Sequence, residues 1–318
     1  MRRALVTGGA GFIGSNLVDR LLADGVEAIA YDNLRTGRER FLSPDAELVV
    51  GDILDGDRLV EALDGCDTVF HLAANADVRR GLEHPERDLH QNTIGTATVL
   101  EAMRRAGVTR LAFSSTGSVY GEPEVFPTPE DAPFPIQTSL YAASKLAGEG
   151  LIQAYCAGYG FTAVILRFVS ILGERYTHGH LFDFYRALRA DPAHLHVLGN
   201  GKQQKSYLYV QDCVNGILTA LGAQREGVGV YNLGTDETTI VDASVATIVE
   251  HLGIDPEITY AGGERGWVGD SPLIHLDCTK LRGLGWRPEL TIREAVLRTL
   301  AWFDKNAYVF EPEEEAVA

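Results

Sequence analysis

Tyr141 and Lys145 stand four residues apart in YAASK, inside a run with apolar residues at helical spacing. That separation puts both side chains on one face of a helix. There an ammonium lowers the pKa of a neighbouring phenol, and a tyrosine so tuned takes or gives a proton near neutral pH. The spacing also arises by accident on exposed helices, so it needs company. Thr116 lies 25 residues upstream in FSSTGSVYG, at the end of the apolar run RLAFSS. Its hydroxyl is suited to hydrogen-bond the same substrate oxygen as the phenol.

A second group of residues binds rather than reacts. LVTGGAGFIGSN sets Gly8, Gly11 and Gly14 between a strand and a helix. A tight turn there needs positive φ, a pyrophosphate needs close backbone approach, and the helix N-terminus offers amides and a positive dipole. A glycine triplet alone also fits a plain strand-to-helix turn. Asp32 strengthens the binding reading: it ends the second strand, 18 residues after Gly14, where a carboxylate meets an adenosine ribose and disfavours a 2'-phosphate. NAD is therefore the expected cofactor, with Arg35 and Arg38 read as a solvated loop. Asp52 and Ile53 in GDILD border the adenine, and Ala73 and Ala74 in HLAA leave room beside the cofactor. The expected set also takes in Phe12, Ile13, Asn33, Leu72 and Ser114, with Tyr141 and Lys145. An oxidised nicotinamide lowers the phenol's pKa further. His71 reads as a satisfied core histidine.

These residues need a scaffold. RALVTG, EAIAYD, AELVVGDI, DTVFHLAA, TRLAFSS and TAVILRF read as strands, alternating with helical runs such as RDLHQNTIGTATVLEAMRRAG and SLYAASKLAGEGLIQAYCAGYG. The rhythm predicts an α/β fold with a Rossmann-type doubly wound parallel sheet. After about Arg175 it weakens into a smaller α/β C-terminal lobe that includes GVYNLG. The expected division is a NAD-binding domain over 1–175, with a returning segment near 203–222, and a substrate lobe over 176–318 ending in the acidic tail EPEEEAVA.

The 44 acidic and 28 basic residues give a net charge of −16. That balance argues against nucleic acid and against an anionic membrane surface. An anionic substrate must be met by local cations and backbone amides. No stretch approaches 18 apolar residues and no signal peptide opens the chain, so a cytoplasmic protein is expected. Cys66, Cys156, Cys213 and Cys278 form no CxxC pair and read as reduced. His178, His180, His194 and His196 lack carboxylate or cysteine partners at ligand spacing, so no metal is expected.

In order and at fitting distances, TGGAGFIGS, YDN, GDILD, HLAA, SSTGSVYG, YAASK and KSYLYVQD make the chain resemble the extended short-chain dehydrogenase/reductases. Within them it resembles the UDP-glucose/UDP-glucuronate 4-epimerase family, from Met1 to about Phe303. The resemblance implies a UDP-sugar substrate and makes Thr116, Tyr141 and Lys145 the catalytic group. It implies that Asn92 braces the cofactor site and that Arg167 and Ser170 border the substrate. Gln204, Tyr207, Tyr209 and Asp212 take structural or nucleotide-site roles. GERGWVGD resembles the diphosphate-binding stretch, with Asp270 in place, Trp267 where many relatives have arginine, and Arg265 two residues earlier. A homodimer through the two helical runs quoted above is also implied.

The residues after Thr116 select among reactions. Related 4,6-dehydratases carry two acidic residues there, and UDP-glucuronate decarboxylases a glutamate at the second position. This chain has Gly117 and Ser118, which leaves epimerisation at carbon 4. A dehydratase, a decarboxylase and a non-catalytic NAD-binding regulator are the alternatives. For the sugar, Gly117, Ser118 and Ser170, helped by Arg175 or Thr177, point towards a carboxylate on carbon 5 and so towards glucuronate. The alternative is that Ser170 replaces the common asparagine without changing the substrate, which is then UDP-glucose.

Overall fold

Aliphatic strands with small residues at their tips suit a sheet buried on both faces. A computed structural model, describing residues 1–76, 81, 83–133, 136–266 and 273–311, has such a sheet. In chain order the strands are β1 (Arg3–Thr7), β2 (Glu27–Asp32), β3 (Glu47–Val50), β4 (Thr68–His71), β5 (Arg110–Thr116), β6 (Thr162–Phe168) and β7 (Ser170–Leu172). Then come β8 (His194–Val197), β9 (Gln204–Lys205), β10 (Tyr207–Tyr209), β11 (Val228–Leu233), β12 (Thr239–Ile240), β13 (Glu257–Tyr260) and β14 (Leu273–Ile274). The main sheet has seven parallel strands in the order β11-β6-β5-β4-β1-β2-β3. β1 lies between β4 and β2, so the winding reverses there, and the crevice beyond the carboxyl ends of these strands is where such sheets bind ligands.

The helices that cover it include α1 (Phe12–Ala23), α2 (Gly56–Ala62), α3 (Pro85–Arg87), α4 (Gly95–Ala106) and α5 (Leu140–Tyr159), with a π-helical turn at Asp88–Ile94. Later come α6 (His180–Ala190), α7 (Val210–Ala223), α8 (Val241–Leu252), α9 (Thr279–Arg282) and α10 (Ile292–Lys305). GVYNLG, expected in the smaller lobe, is instead β11, the edge of the main sheet, in register with β6 from Val228↔Ala163 to Leu233↔Phe168. The reason is topological: a strand added parallel to an edge needs a crossover, and α7 supplies it.

The remaining strands pair outside the main sheet. β13 lies parallel to β8, and β9 lies between antiparallel β12 and parallel β14. One apolar core runs from Leu17 and Val18 of α1 to Leu300 and Phe303 of α10, so the main sheet and the smaller lobe share their packing. Among the described residues no helix is long and apolar enough to cross a membrane.

Candidate functional site

β5 ends at Thr116, whose side chain caps the following 3-10 turn, Gly117–Tyr120, by accepting from Ser118 N at 3.1 Å. α5 starts at Ser139, whose side chain accepts from Ala142 N. The caps fix where the turn and α5 begin, and the first turn of α5 lies at the end of β5. The Tyr141 phenol hydrogen-bonds with Thr116. One turn further, Lys145 is 2% exposed and its Nζ donates to Ser114 O at 2.8 Å, 4.8 Å from the Phe113 ring centre. The structure thus brings Thr116, Tyr141 and Lys145 together.

The electrostatics differ from expectation. Burial, and then the Asp88 carboxylate, push the Tyr141 phenol up to about 12, against a downward pull from the Thr116 hydrogen bond. Burial drives Lys145 down to about 7, with Glu149 and then Asp88 opposing it. Spacing predicted that the ammonium lowers the phenol. In the protein alone, desolvation of the phenol outweighs the one downward influence found on it among the described residues, the Thr116 hydrogen bond.

Asn92 sits in the π-helical turn, a feature that often marks functional positions. Its Oδ1 accepts from Asn75 N at 2.8 Å, and its Nδ2 donates to Ser144 Oγ at 3.0 Å and to Asp88 Oδ1 at 3.2 Å. Ser144 Oγ in turn donates to Tyr141 O at 2.8 Å. Asn92 therefore braces the turn of α5 that carries the tyrosine.

His71 is buried between Thr7 Oγ1, 2.8 Å from Nδ1, and Thr96 Oγ1, 3.0 Å from Nε2. Thr96 gives its own proton to Asn92 O, so His71 Nε2 carries the hydrogen and Nδ1 accepts from Thr7. Burial, then Lys145, lower its pKa to about 3. A folded value below the unfolded ~6.5 contributes stability that is full above that pH and lost as pH falls towards 3. Urea unfolding at pH 7 and pH 5 should show this fall, and His71→Gln should flatten the slope by up to about 1.4 kcal/mol per pH unit. An unchanged slope would refute the assignment of His71 as neutral.

The glycine loop is shaped as a cradle. Gly8 has φ +69, and a Cβ there would meet Ala73 N at 2.8 Å; one on Gly14 would meet Gly8 O at 2.0 Å. Gly11 caps α1 with no side chain over the first amides and no acidic residue in the first turn, which leaves them to an anion. Phe12 turns its ring into the core against Tyr176, so only its backbone serves the loop, and Ile13 is partly buried against the same core. Ala73 N donates to Thr7 Oγ1, fixing the half-buried stretch of Leu72, Ala73 and Ala74 beside Gly8. Asp32, 8% exposed, accepts from Ala10 N and Leu34 N, which orients its carboxylate. Asn33 donates to Asp52 Oδ2 at 2.9 Å, Ile53 is buried, and Ser114 Oγ donates to His71 O. Arg38 donates to Tyr308 O and Val309 O, and Arg35 is exposed. A purine dinucleotide with an unphosphorylated ribose fits this cradle.

On the sugar side several expectations change. Arg175 forms an ion pair with Asp19 of α1 at 2.5 Å, which holds its guanidinium there rather than for a sugar carboxylate. Thr177 contacts His178 and lines a cleft with Arg38, Phe182 and Phe310, among residues of the C-terminal segment. Arg167, expected at the substrate border, is 3% exposed and bound to Glu149. A buried guanidinium needs a fixed carboxylate, and sequence alone did not reveal which one. Ser170 on β7 pairs with Tyr207 on β10, whose ring lies 4.8 Å from that of His180. Exposed Gln204 donates to Thr238, while Arg265 forms an ion pair with Glu122, just past the Gly117–Tyr120 turn. Asp270, like Trp267, lies outside the described residues. Among the described residues no cluster could hold a metal.

Comparison with known proteins places this arrangement. The model of the NAD dependent epimerase/dehydratase family matches residues 4–234. A putative UDP-glucose 4-epimerase of Methanocaldococcus jannaschii is 36% identical over 310 residues, 95% of this chain and 98% of that one. The chain belongs to the NAD dependent epimerase/dehydratase family. Among solved structures, a UDP-galactose 4-epimerase matches at 39% identity and a TM-score of 0.87, over 96% of this chain and 99% of that one. MoeE5, solved with NAD and UDP-glucuronic acid and also with NAD and UDP-glucose, matches at 30% and 0.86, over 96% and 99%. The cofactor of this family member is NAD, and the fold is that of its epimerase relatives.

The sequence reading missed three members of the site: Asp88, Ser144 and Glu149. Asp88 and Ser144 carry the Asn92 brace and differ little in type from surface residues. Glu149 left a signal, a lone acid between Gly148 and Gly150, on the face of α5 that carries Tyr141 and Lys145.

Proposed function

We propose that this chain is an NAD-dependent UDP-sugar 4-epimerase acting on the UDP-glucose/UDP-galactose pair through a transient 4-keto sugar. The observation that carries the reaction type is the turn after Thr116. Gly117 is buried, and a Cβ there would lie 3.2 Å from Leu276 Cδ1 and 3.3 Å from Phe168 O, so the turn is tightly packed around a residue that carries no acid. Ser118 has a hydroxyl, which is neither acid nor base near neutral pH. The chain can therefore exchange a proton at one oxygen but has no group in this turn for elimination or decarboxylation.

Gly8, Gly11, Gly14 and Asp32 would hold the NAD, and when bound it supplies reversible hydride transfer at carbon 4 and, oxidised, a positive charge. Tyr141 Oη takes the proton of the sugar's 4-hydroxyl and returns it after the 4-keto sugar has turned over. Thr116 Oγ1 hydrogen-bonds the same oxygen and holds the phenol in line. Lys145, anchored on Ser114 O, supplies positive charge next to Tyr141. With the protein's own groups leaving the phenol near 12, added positive charge is what makes its ionised form accessible.

The sugar preference turns on cations. A carboxylate on carbon 5 would need a guanidinium or several donors. Arg175, Arg265 and Arg167 are paired with Asp19, Glu122 and Glu149. The glucuronate preference therefore gives way to UDP-glucose, in line with the relatives above. Half-buried Ser118 and Ser170 keep glucuronate as the second reading, as does the likeness to MoeE5. Incubation with each UDP-sugar and proton NMR of the products tests this. UDP-glucose should turn over at least about tenfold faster than UDP-glucuronate, since one lost charge-assisted hydrogen bond is worth ~1.5–3 kcal/mol. Faster UDP-glucuronate turnover, slowed selectively by Ser170→Ala, would establish the second reading instead.

The same reading makes the chain a homodimer through α4, α5 and the π-helical turn, where Leu89, Ile94 and Tyr159 are exposed. Sedimentation showing a monomer at micromolar concentration would refute it.

A further inference from the structure

Glu149 lies one turn beyond Lys145 and two beyond Tyr141 on one face of α5. It is fully buried, and its carboxylate accepts from Ser115 Oγ at 2.5 Å and from Arg167 Nε and Nη2 at 3.1 and 2.7 Å. Arg167 Nη1 donates to Tyr120 OH at 2.7 Å and to Glu130 O at 3.0 Å. Tyr120 OH donates to Asn232 Oδ1 at 2.8 Å. One buried network thus joins α5, β5, the turn after Thr116 and β11.

A buried ion pair is a weak source of stability, because apolar residues of like volume often serve as well or better. Its place suggests another use. Ser115, which holds Glu149, directly follows Ser114, whose carbonyl holds Lys145, so strand and helix are joined at two adjacent points. We propose that Glu149 is a positioning residue of the epimerase reaction, which by holding Ser115 fixes the adjacent Ser114 carbonyl on which Lys145 is anchored beside Tyr141. This rests on the epimerase reading above.

Glu149 of α5 and Asp88 of the π-helical turn act on Lys145 and favour its ammonium, Lys145 in turn acts on neutral His71 of β4, Tyr141 shares its helix, and Arg167 of β6 pairs with Glu149. Burial lowers Lys145 to about 7, and Glu149 is the larger of the two opposing influences. Removing its charge lowers the ammonium further, so protonated lysine is lost at lower pH.

The test is the pH profile of kcat/KM for UDP-galactose, with bound NAD and folding measured on each variant. Glu149→Gln should move the alkaline limb to lower pH, because the negative charge that favours the ammonium is gone. Glu149→Asp keeps the charge and should keep the wild-type limb. If Glu149→Gln does not fold, the double variant Glu149→Gln, Arg167→Met removes both charges of the buried pair, and a smaller shift in the same direction is expected. Coincidence of the neutralised variant's limb with wild type overturns the proposal. Tyr141→Phe separates the two failures: wild-type activity there sinks the epimerase reading, whereas an inactive Tyr141→Phe with an unmoved limb sinks only the role of Glu149.

Discussion

Tyr141→Phe lowers turnover by at least about a hundredfold and leaves NAD bound, because a positioned acid–base group contributes ~10²–10⁴ and the ring still packs where it did. The phenol is hydrogen-bonded with Thr116, and Lys145, one turn further along α5, is anchored on Ser114 O, two residues before Thr116. No carboxylate stands in reserve in the turn after Thr116, so no neighbour there substitutes for the lost oxygen. Steady-state rates with UDP-galactose, together with nucleotide released from the variant by heat, check both halves. Near-normal turnover would remove tyrosine from the mechanism.

Gly14→Ala abolishes most of the NAD that the purified wild type carries. The added Cβ would stand 2.0 Å from Gly8 O and 2.8 Å from Gly8 C, both backbone atoms of the loop itself, so the loop must move. Overpacking of this kind costs about 1–3 kcal/mol, which corresponds to roughly a tenfold to hundredfold loss of affinity. Because the proposed cycle regenerates its cofactor, wild-type protein should release NAD or NADH on heating, and Asp32 excludes NADP. A full complement of NAD in Gly14→Ala, or NADP alone in the wild type, would contradict the cradle.

The residues legible from sequence are those whose roles are local. Gly8 and Gly14 sit in one turn, Asp32 ends one strand, and Tyr141 and Lys145 are fixed by four residues of one helix. Thr116 needed only the strand end and the helix start to be placed correctly. What sequence hid depends on partners far along the chain. Arg175 and Asp19 are 156 residues apart, and a long cation points wherever its carboxylate lies. The family resemblance implied Arg167 at the substrate, yet alternation along β6 turns it towards α5 and Glu149. The raised pKa of Tyr141 in the protein alone was not legible, because spacing reveals a neighbouring charge but not the loss of water around the phenol. β11 was assigned to the smaller lobe because a short strand after a weakened rhythm carries no mark of which sheet it joins.

The central claim is that carbon 4 of a UDP-sugar is oxidised and reduced within one site by a retained cofactor. UDP-galactose bearing deuterium at carbon 4, incubated with the purified protein and no added nucleotide, tests it directly by NMR and mass spectrometry. The account predicts UDP-glucose with the deuterium still at carbon 4. UDP-galactose left unchanged, a product lacking a hydroxyl or a carbon, or UDP-glucose that has lost the label to solvent would contradict it.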